Sequence, residues 1–350
     1  ARGDPGRPLQ PGSVITYIIR RLFAAVVLLF IVSAATFAIF YLVPRLVGST
    51  PETLATRYVG RAATPETVNL IAHKLGFYDP LWLQYGRWVK GIFLGSEYDY
   101  GSGVEHCPAP CFGYSFITKQ PVWPDLLDRL PVTLSLAVGA SFLWLLFGLS
   151  TGVVSALRRG SLLDRAAMTF SLAGVSLPIF FTGMISLLVF SYKLGWTAPG
   201  GTYTPFTESP IDWAYALLLP WLVLALQFSA QYARLTRAGM LDTMGEDYIR
   251  TARAKGLRER DVNIKHGLRA TLTPILTIFG LDFGLLLGGA VLTEQVFSLP
   301  GLGKYAVDAI NNNDLPKVLG VTLMAAFFVV IANLIVDLFY AVVDPRVRVG

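Results

Sequence analysis

The apolar residues of this chain fall in long unbroken runs separated by polar links, and six runs are long enough for a membrane span. A helix needs roughly 20 residues at about 1.5 Å each to cross the hydrocarbon core. The first span is read from about Ile18 to Val43, with Arg20 and Arg21 at its entry and Pro44 closing it. The others run from about Pro131 to Leu157, Ala166 to Tyr192, Trp213 to Tyr232, Leu272 to Thr293 and Lys317 to Val343. None of them alternates apolar with polar residues, as the strands of a membrane β-barrel would. The pattern predicts an all-α polytopic membrane protein with six transmembrane helices. It divides into a flexible tail at 1–17, a first helix at 18–44, a large insert at 45–130, a five-helix core at 131–343 and a tail at 344–350. The core contains a charged loop at 238–271.

The links carry finer signals. The opening ARGDPGRPLQPGS has no apolar face and is expected to be flexible. The first apolar run exceeds the roughly 7–15 residues of a signal-peptide core, so a retained helix is expected. In the insert, Thr64 to Phe77 reads as a helix, with Thr64 as N-cap, Pro65 in the first turn and Gly76 at the stop. Leu81 to Gly95 reads as an amphipathic helix that sets Trp82, Tyr85 and Trp88 at the membrane interface. Pro178 is expected to kink the third span, as a fixed bend or as a hinge. Val296 to Ile310, with Pro300, Gly301 and Gly303, predicts a short helix between the last two spans.

Composition agrees with the spans. The chain has 350 residues, 53% hydrophobic and 15% charged, where a soluble domain carries roughly a quarter charged residues. Its net charge of +6 is scattered over several loops, without the dense patch that nucleic acid requires. Arg20, Arg21, Arg158, Arg159, Arg165, the loop from Arg250 to Arg269, Arg346 and Arg348 share one side of the spans. The short links opposite hold Lys193, Lys304 and Lys317. Basic residues mark the cytoplasmic side, so both termini are expected there; the long insert, beyond about 60 residues, does not count.

The most charged stretch, GEDYIRTARAKGLRERDVNIKHGLRA at Gly245–Ala270, faces the cytoplasm on this reading. Asp247 to Lys255 tolerates helix throughout, with acids at its start and bases at its end. Gly256 is a natural stop, and a second helix follows from Arg258 into the fifth span. Tyr248, Ile249 and Ala252 form a small apolar face that suits docking into a groove on a soluble partner. The plain alternative is a solvated basic loop, which accounts for the charge but not for the helical order.

DYIRTARAKGL followed by KHGLRATLTP resembles the cytoplasmic loop of binding-protein-dependent ABC importer permeases, in the form used by the dipeptide, oligopeptide and nickel subfamily. RLPVTLSLAVGA, RRGSLLDR, GVSLPIF, EQVFSLPGLGKYAVDAI and DLFYAVVDPRVR are similar to the same subfamily. The large insert after the first span resembles its B-type permease. The resemblance implies the type I ABC importer permease fold. It implies that Asp247, Tyr248, Ile249, Thr251, Ala252, Ala254, Gly256 and Leu257 belong to a coupling helix seated on a cytoplasmic ATPase. It also implies a second homologous permease, two ATPase subunits that hold ATP and Mg, and an external substrate-binding protein in a bacterial cell membrane. The segment around Pro300, Gly301 and Gly303 is then part of an external gate. This chain departs from the general signature, with Asp247-Tyr248 before the motif and His266-Gly267-Leu268 after it, as its subfamily does.

No cofactor or metal is expected on this chain. PGLGKY lacks the spacing and the Ser or Thr of a phosphate loop. His73, His106 and His266 are scattered, so no catalytic constellation forms. Polar groups inside spans are costly and invite a functional reading. Asp282, beside Gly280, Gly284, Gly288 and Gly289, lines the translocation pathway or makes a buried hydrogen bond. Gln227, Ser229 and Gln231 are read as pathway lining, Asn333 as helix glue, and Asp337 as the partner of a loop arginine. Cys107 and Cys111, the only cysteines, are read as a disulfide, with free thiols or a His106 metal site as alternatives. The cargo is read as di- or oligopeptide; nickel, glutathione, sugar or haem remain open, as does an ion-driven secondary transporter.

Overall fold

The computed structural model describes residues 11–59, 64–99, 103–115 and 117–343. Residues 1–10 of the expected flexible tail, the tail at 344–350 and the side chain of Asp337 lie outside these residues, while 11–17 of that tail are helical. Among the described residues, five helices are long and apolar enough to cross a membrane. Helix α1 (Pro11–Phe37) starts seven residues before the expected span, passes through a π-helical turn at Ala38–Leu42 and ends at Val43–Leu46.

The insert folds as α2 (Pro51–Val59), α3 (Pro65–Lys74) and α4 (Leu81–Leu94), followed by two short hairpins. Strand β1 (Ser96–Asp99) pairs antiparallel with β2 (Val104–Cys107), Ser96 opposite Cys107; β3 (Tyr114–Ser115) pairs with β4 (Gln120–Pro121). Thr64 caps α3 by accepting from Thr67 N at 3.3 Å, and Gly76 ends it at φ +69°. Helix α4 differs from the expectation. Trp82 is 74% exposed, but Tyr85 and Trp88 turn onto α1, where Tyr85 Oη lies 2.8 Å from Ser33 Oγ and its ring meets Phe37 edge-on. Rings pack better against Phe37 than in an open interface, and the tyrosine hydroxyl finds a partner there. Phe37, Tyr41, Leu54, Ile71 and Phe77 form one buried cluster with Leu315 and Leu319, so the insert is built onto the bundle.

Helix α5 (Val122–Leu157) begins nine residues before the expected second span. The third span is not one kinked helix. It is α6 (Leu162–Ser176) and α7 (Ile179–Ser186), the latter extended by a π-helical segment at Leu187–Lys193. Leu177 and Pro178 between them are extended, at ψ 128° and 138°. The residue before a proline is pushed out of the helical region, and here that ends the helix outright. Helix α8 (Pro210–Met244) starts three residues before the expected fourth span and ends twelve after it. It leads through α9 (Asp247–Ala254) to α10, which is helical from Glu259 to Leu287 with a π-helical stretch at Val262–Leu268. Two short helices, α11 (Val291–Val296) and α12 (Leu302–Asn311), precede α13 (Leu315–Val343).

The core lies along α5 and α8, with Leu136, Trp144, Leu217, Leu224, Tyr232 and Ile275 buried together. Lipid is as apolar as these side chains, so close backbone approach contributes what water exclusion cannot. A Cβ at Gly152 would stand 2.6 Å from the Ala233 carbonyl.

Candidate functional site

Helix α9 lies at the end of the bundle where α8 and α10 meet. Glu246 is extended at φ −72°, ψ 149° and starts it. At its other end Gly256 sits at φ +75°, with Gly256 N donating to Arg253 O at 2.9 Å and Leu257 N to Ala252 O at 3.4 Å. This pair of bonds is the Schellman stop, and only glycine takes its left-handed residue without strain. Arg253 reaches across the turn to Glu259 at 2.9 Å, tying α9 to the start of α10.

The apolar face of α9 is not free. Ile249 is 0% exposed and, with Ala252, packs against Val262 of α10 and Met244 of α8. Both neighbours are only a turn away in the chain, so the face is covered internally. What remains outside is Asp247, Tyr248, Arg250, Thr251, Ala254, Gly256 and Leu257, with Tyr248 46% and Leu257 43% exposed. The arrangement is a short rigid helix, clamped by its inner face to two long helices, presenting a mixed polar and apolar outer face.

A second set of residues stabilises this end. Asp164, at the start of α6, takes a two-pronged pair from Arg237 of α8 at 2.7 and 2.8 Å. It also accepts from Ser155 of α5 and from Gly160 N at 2.9 Å. Arg237, then Ser155 and Gly160 N, hold its carboxyl far below the usual carboxylate range. Three helices thus share one carboxylate. RRGSLLDR reads as a link in the sequence, where no local pattern points to Arg237, 73 residues away.

At the opposite end, Pro300, Gly301 and Gly303 form the turn into α12. The side chain beneath them is Glu294 of α11, 0% exposed, which accepts from Thr133 Oγ1 of α5 at 2.8 Å and from Lys304 N at 2.9 Å. Burial pushes its carboxyl up, and these donors pull it partly back. Beside it, the Tyr305 hydroxyl donates to Asp125 at 2.8 Å, and Arg129 lies 4.4 Å from the Tyr305 ring centroid. Sequence patterns do not single out Glu294; its signal there is an acid directly after the fifth apolar run, followed by closely spaced glycines.

Within the bundle, Asp282 is half-buried and accepts from the Tyr232 hydroxyl at 2.9 Å. Gln227 and Ser229 are half-buried on α8, and Gln231 is exposed. Ser229 donates to Leu226 O at 3.2 Å and borders a cavity of about 310 Å³ with Thr151 and Ser171. Asp282 and these three are not joined by a hydrogen bond among the described residues. Cys107 and Cys111 are joined in a disulfide, both buried, closing the loop after β2.

Residues 148–349 match the family model "Binding-protein-dependent transport system inner membrane component". Residues 14–137 match "Binding-prot-dependent transport system membrane comp, N-term". A Brucella abortus chain named for a peptide transport system permease is 40% identical over 331 residues, covering 95% of this chain and 98% of its own. The di/tripeptide transport system permease protein DppB of Pseudomonas aeruginosa is 38% identical, covering 96% and 99%. The glutathione transport system permease protein GsiC of Escherichia coli is 34% identical, with the same coverage. The fold is similar to that of the inward-facing MetNI methionine ABC transporter, at a TM-score of 0.50 and 17% identity over 63% of this chain and 96% of that one. This chain therefore belongs to the inner membrane components of binding-protein-dependent transport systems, as a non-catalytic, multi-pass permease subunit of an ABC importer.

Proposed function

We propose that this chain forms one half of the pathway of a di- or oligopeptide importer and receives work from a cytoplasmic ATPase through α9. It pairs with a second homologous permease above two ATPase subunits that hold ATP and Mg, and an external binding protein delivers the cargo. Both termini and α9 lie in the cytoplasm, and the membrane is the bacterial inner membrane. The observation that carries this reading is the clamped helix. Ile249 and Ala252 fix α9 to α8 and α10, so a push on Tyr248, Thr251 or Leu257 must move both long helices. A flexible loop would absorb the same push.

Alternating access follows from that stiffness. Docked ATPases draw α9 together with its counterpart, α8 and α10 tilt as levers, and the opposite mouth opens around α12. Gln227, Ser229, Gln231 and Asp282 are the polar groups offered to a passing substrate. The peptide reading draws on the names of the Brucella and Pseudomonas relatives; the name of the Escherichia coli relative favours glutathione as the second reading. The test is co-purification of the complex from its native membrane, followed by uptake assays with labelled dipeptides, oligopeptides and glutathione. ATP-dependent uptake of the peptides supports the reading, and uptake of glutathione alone selects the second. Uptake that persists with hydrolysis-dead ATPases and stops when the proton gradient is collapsed would overturn both.

A further inference from the structure

Pro300, Gly301 and Gly303 shape the turn at the outer mouth, and Leu302 and Tyr305 pack α12 against α5 and α13. Glu294 and Thr133 add the polar tie at its first turn, the one that reaches back to α11. Helix α12 begins at Leu302, and the first N–H groups of any helix lack partners within it. Here Leu302 N donates to Thr133 Oγ1 at 2.9 Å and Lys304 N to Glu294 Oε2 at 2.9 Å. The Thr133 hydroxyl itself donates to Glu294 Oε1. One buried carboxylate and one hydroxyl therefore serve two orphan donors of α12. The glycines make this possible: a Cβ at Gly301 would stand 2.4 Å from the Glu294 carboxyl carbon, and one at Gly303 2.7 Å from the Val291 backbone.

The position of Glu294 in the chain gives this joint a mechanical meaning. Helix α10 starts beside α9 and runs unbroken for 29 residues to Leu287, about 44 Å at the helical rise. Only Gly288 to Ala290 separate it from α11, which carries Glu294. Thr133 stands on α5, whose other end is tied to α8 through Asp164.

We propose that Glu294 and Thr133 are positioning residues that transfer the movement of α10 to α12, so that the outer mouth follows the coupling helix as one body. This rests on the reading of the α12 segment as the external gate, and the experiment separates the two. Cys107 and Cys111 are the only cysteines and are bonded to each other. Ile310→Cys, on the exposed side of α12, therefore supplies a single reactive thiol on this chain, and labelling is read on this chain after the subunits are separated. The full complex in proteoliposomes is labelled with a maleimide in the nucleotide-free state and with a non-hydrolysable ATP analogue, and uptake is measured per assembled complex.

In the parent background, labelling is expected to differ between the two states. With Glu294→Ala or Thr133→Val that difference should collapse, and uptake should fall about tenfold, because buried donors of α12 lose their acceptors. Glu294→Gln should retain most of both, since its amide oxygen accepts from α12 while its NH2 donates to Thr133; Thr133→Ser should do the same. A purely structural role would lower the yield of complex and leave the labelling difference of the assembled fraction intact. That outcome, or parental uptake in both Glu294→Ala and Thr133→Val, overturns the joint. Absence of any nucleotide-dependent labelling in the parent overturns the gate reading itself. Should Glu294→Ala fail to assemble, Thr133→Val decides alone, since it keeps the volume and removes only the hydroxyl.

Discussion

Ile249 and Tyr248 are neighbours with opposite duties. Ile249 anchors α9 to α8 and α10, whereas Tyr248 stands outside. Replacing Ile249 with Ala should loosen the helix, with a cost toward the low end of the 2–5 kcal/mol seen for buried truncations, because its cluster is small. Hydrogen exchange of the α9 amides should then rise. Tyr248→Ala should leave exchange unchanged and weaken only the hold of the ATPase, a difference that paired exchange and pull-down measurements would detect. Gly256 is a third case. Nothing lies within 4 Å of a Cβ built there, but its φ is +75°, so Gly256→Val is strained by backbone alone, by about 1–2 kcal/mol. The variant should reach the membrane, assemble, hydrolyse ATP and import little. Normal import by it would mean that the turn need not be fitted.

The broken third span shows how elements share a load. Because α6 and α7 are separated at Leu177–Pro178, the start of α6 is held by Asp164 rather than by a continuous helix above it. Asp164→Asn should lower the thermal midpoint of the complex. Arg237→Gln should do so too, and the double variant should lose less than the sum, since each single change strands a partner. The pH dependence has a definite sign. The folded carboxyl titrates below its unfolded value, so its contribution is fully present above the unfolded pKa and is lost as pH falls through the folded one. A melting series run into strong acid should show the parent losing this increment while Asp164→Asn has none to lose. This pair also marks the limit of what could be read in the sequence. Spans, the α3 cap, the Gly256 stop and the acidic start of α9 are local patterns and were legible. The seating of Tyr85 and Trp88 on α1, and the Asp164–Arg237 and Glu294–Thr133 pairs depend on contacts between distant segments, and the inward turn of Ile249 depends on how the chain folds back at Gly256. Pro178 was legible as a disturbance, but whether it bends or ends a helix is decided by what packs on either side.

On the proposed coupling through α9, force travels the length of the bundle, because α9 lies at one end and α12 with the insert at the other. The insert end is a single packed body: Leu315 and Leu319 of α13 share a cluster with α1, α2 and α3, and Ser115 donates to the buried Asp314. Such a body moves as a whole or not at all, and the helix that both starts beside α9 and ends beside α11 is α10. If its stiffness matters, softening it must hurt transport without touching either end. Leu281 and Leu285 lie on its exposed side, 49% and 65% accessible, so changing them removes little packing. Replacing both with Gly costs about 1 kcal/mol each in helix propensity, leaving Gly256, Ile249 and Glu294 as they are. The doubly substituted complex should assemble and bind its ATPases normally while spending more ATP per molecule imported. A ratio of hydrolysis to uptake equal to that of the parent would show that α10 is not the lever.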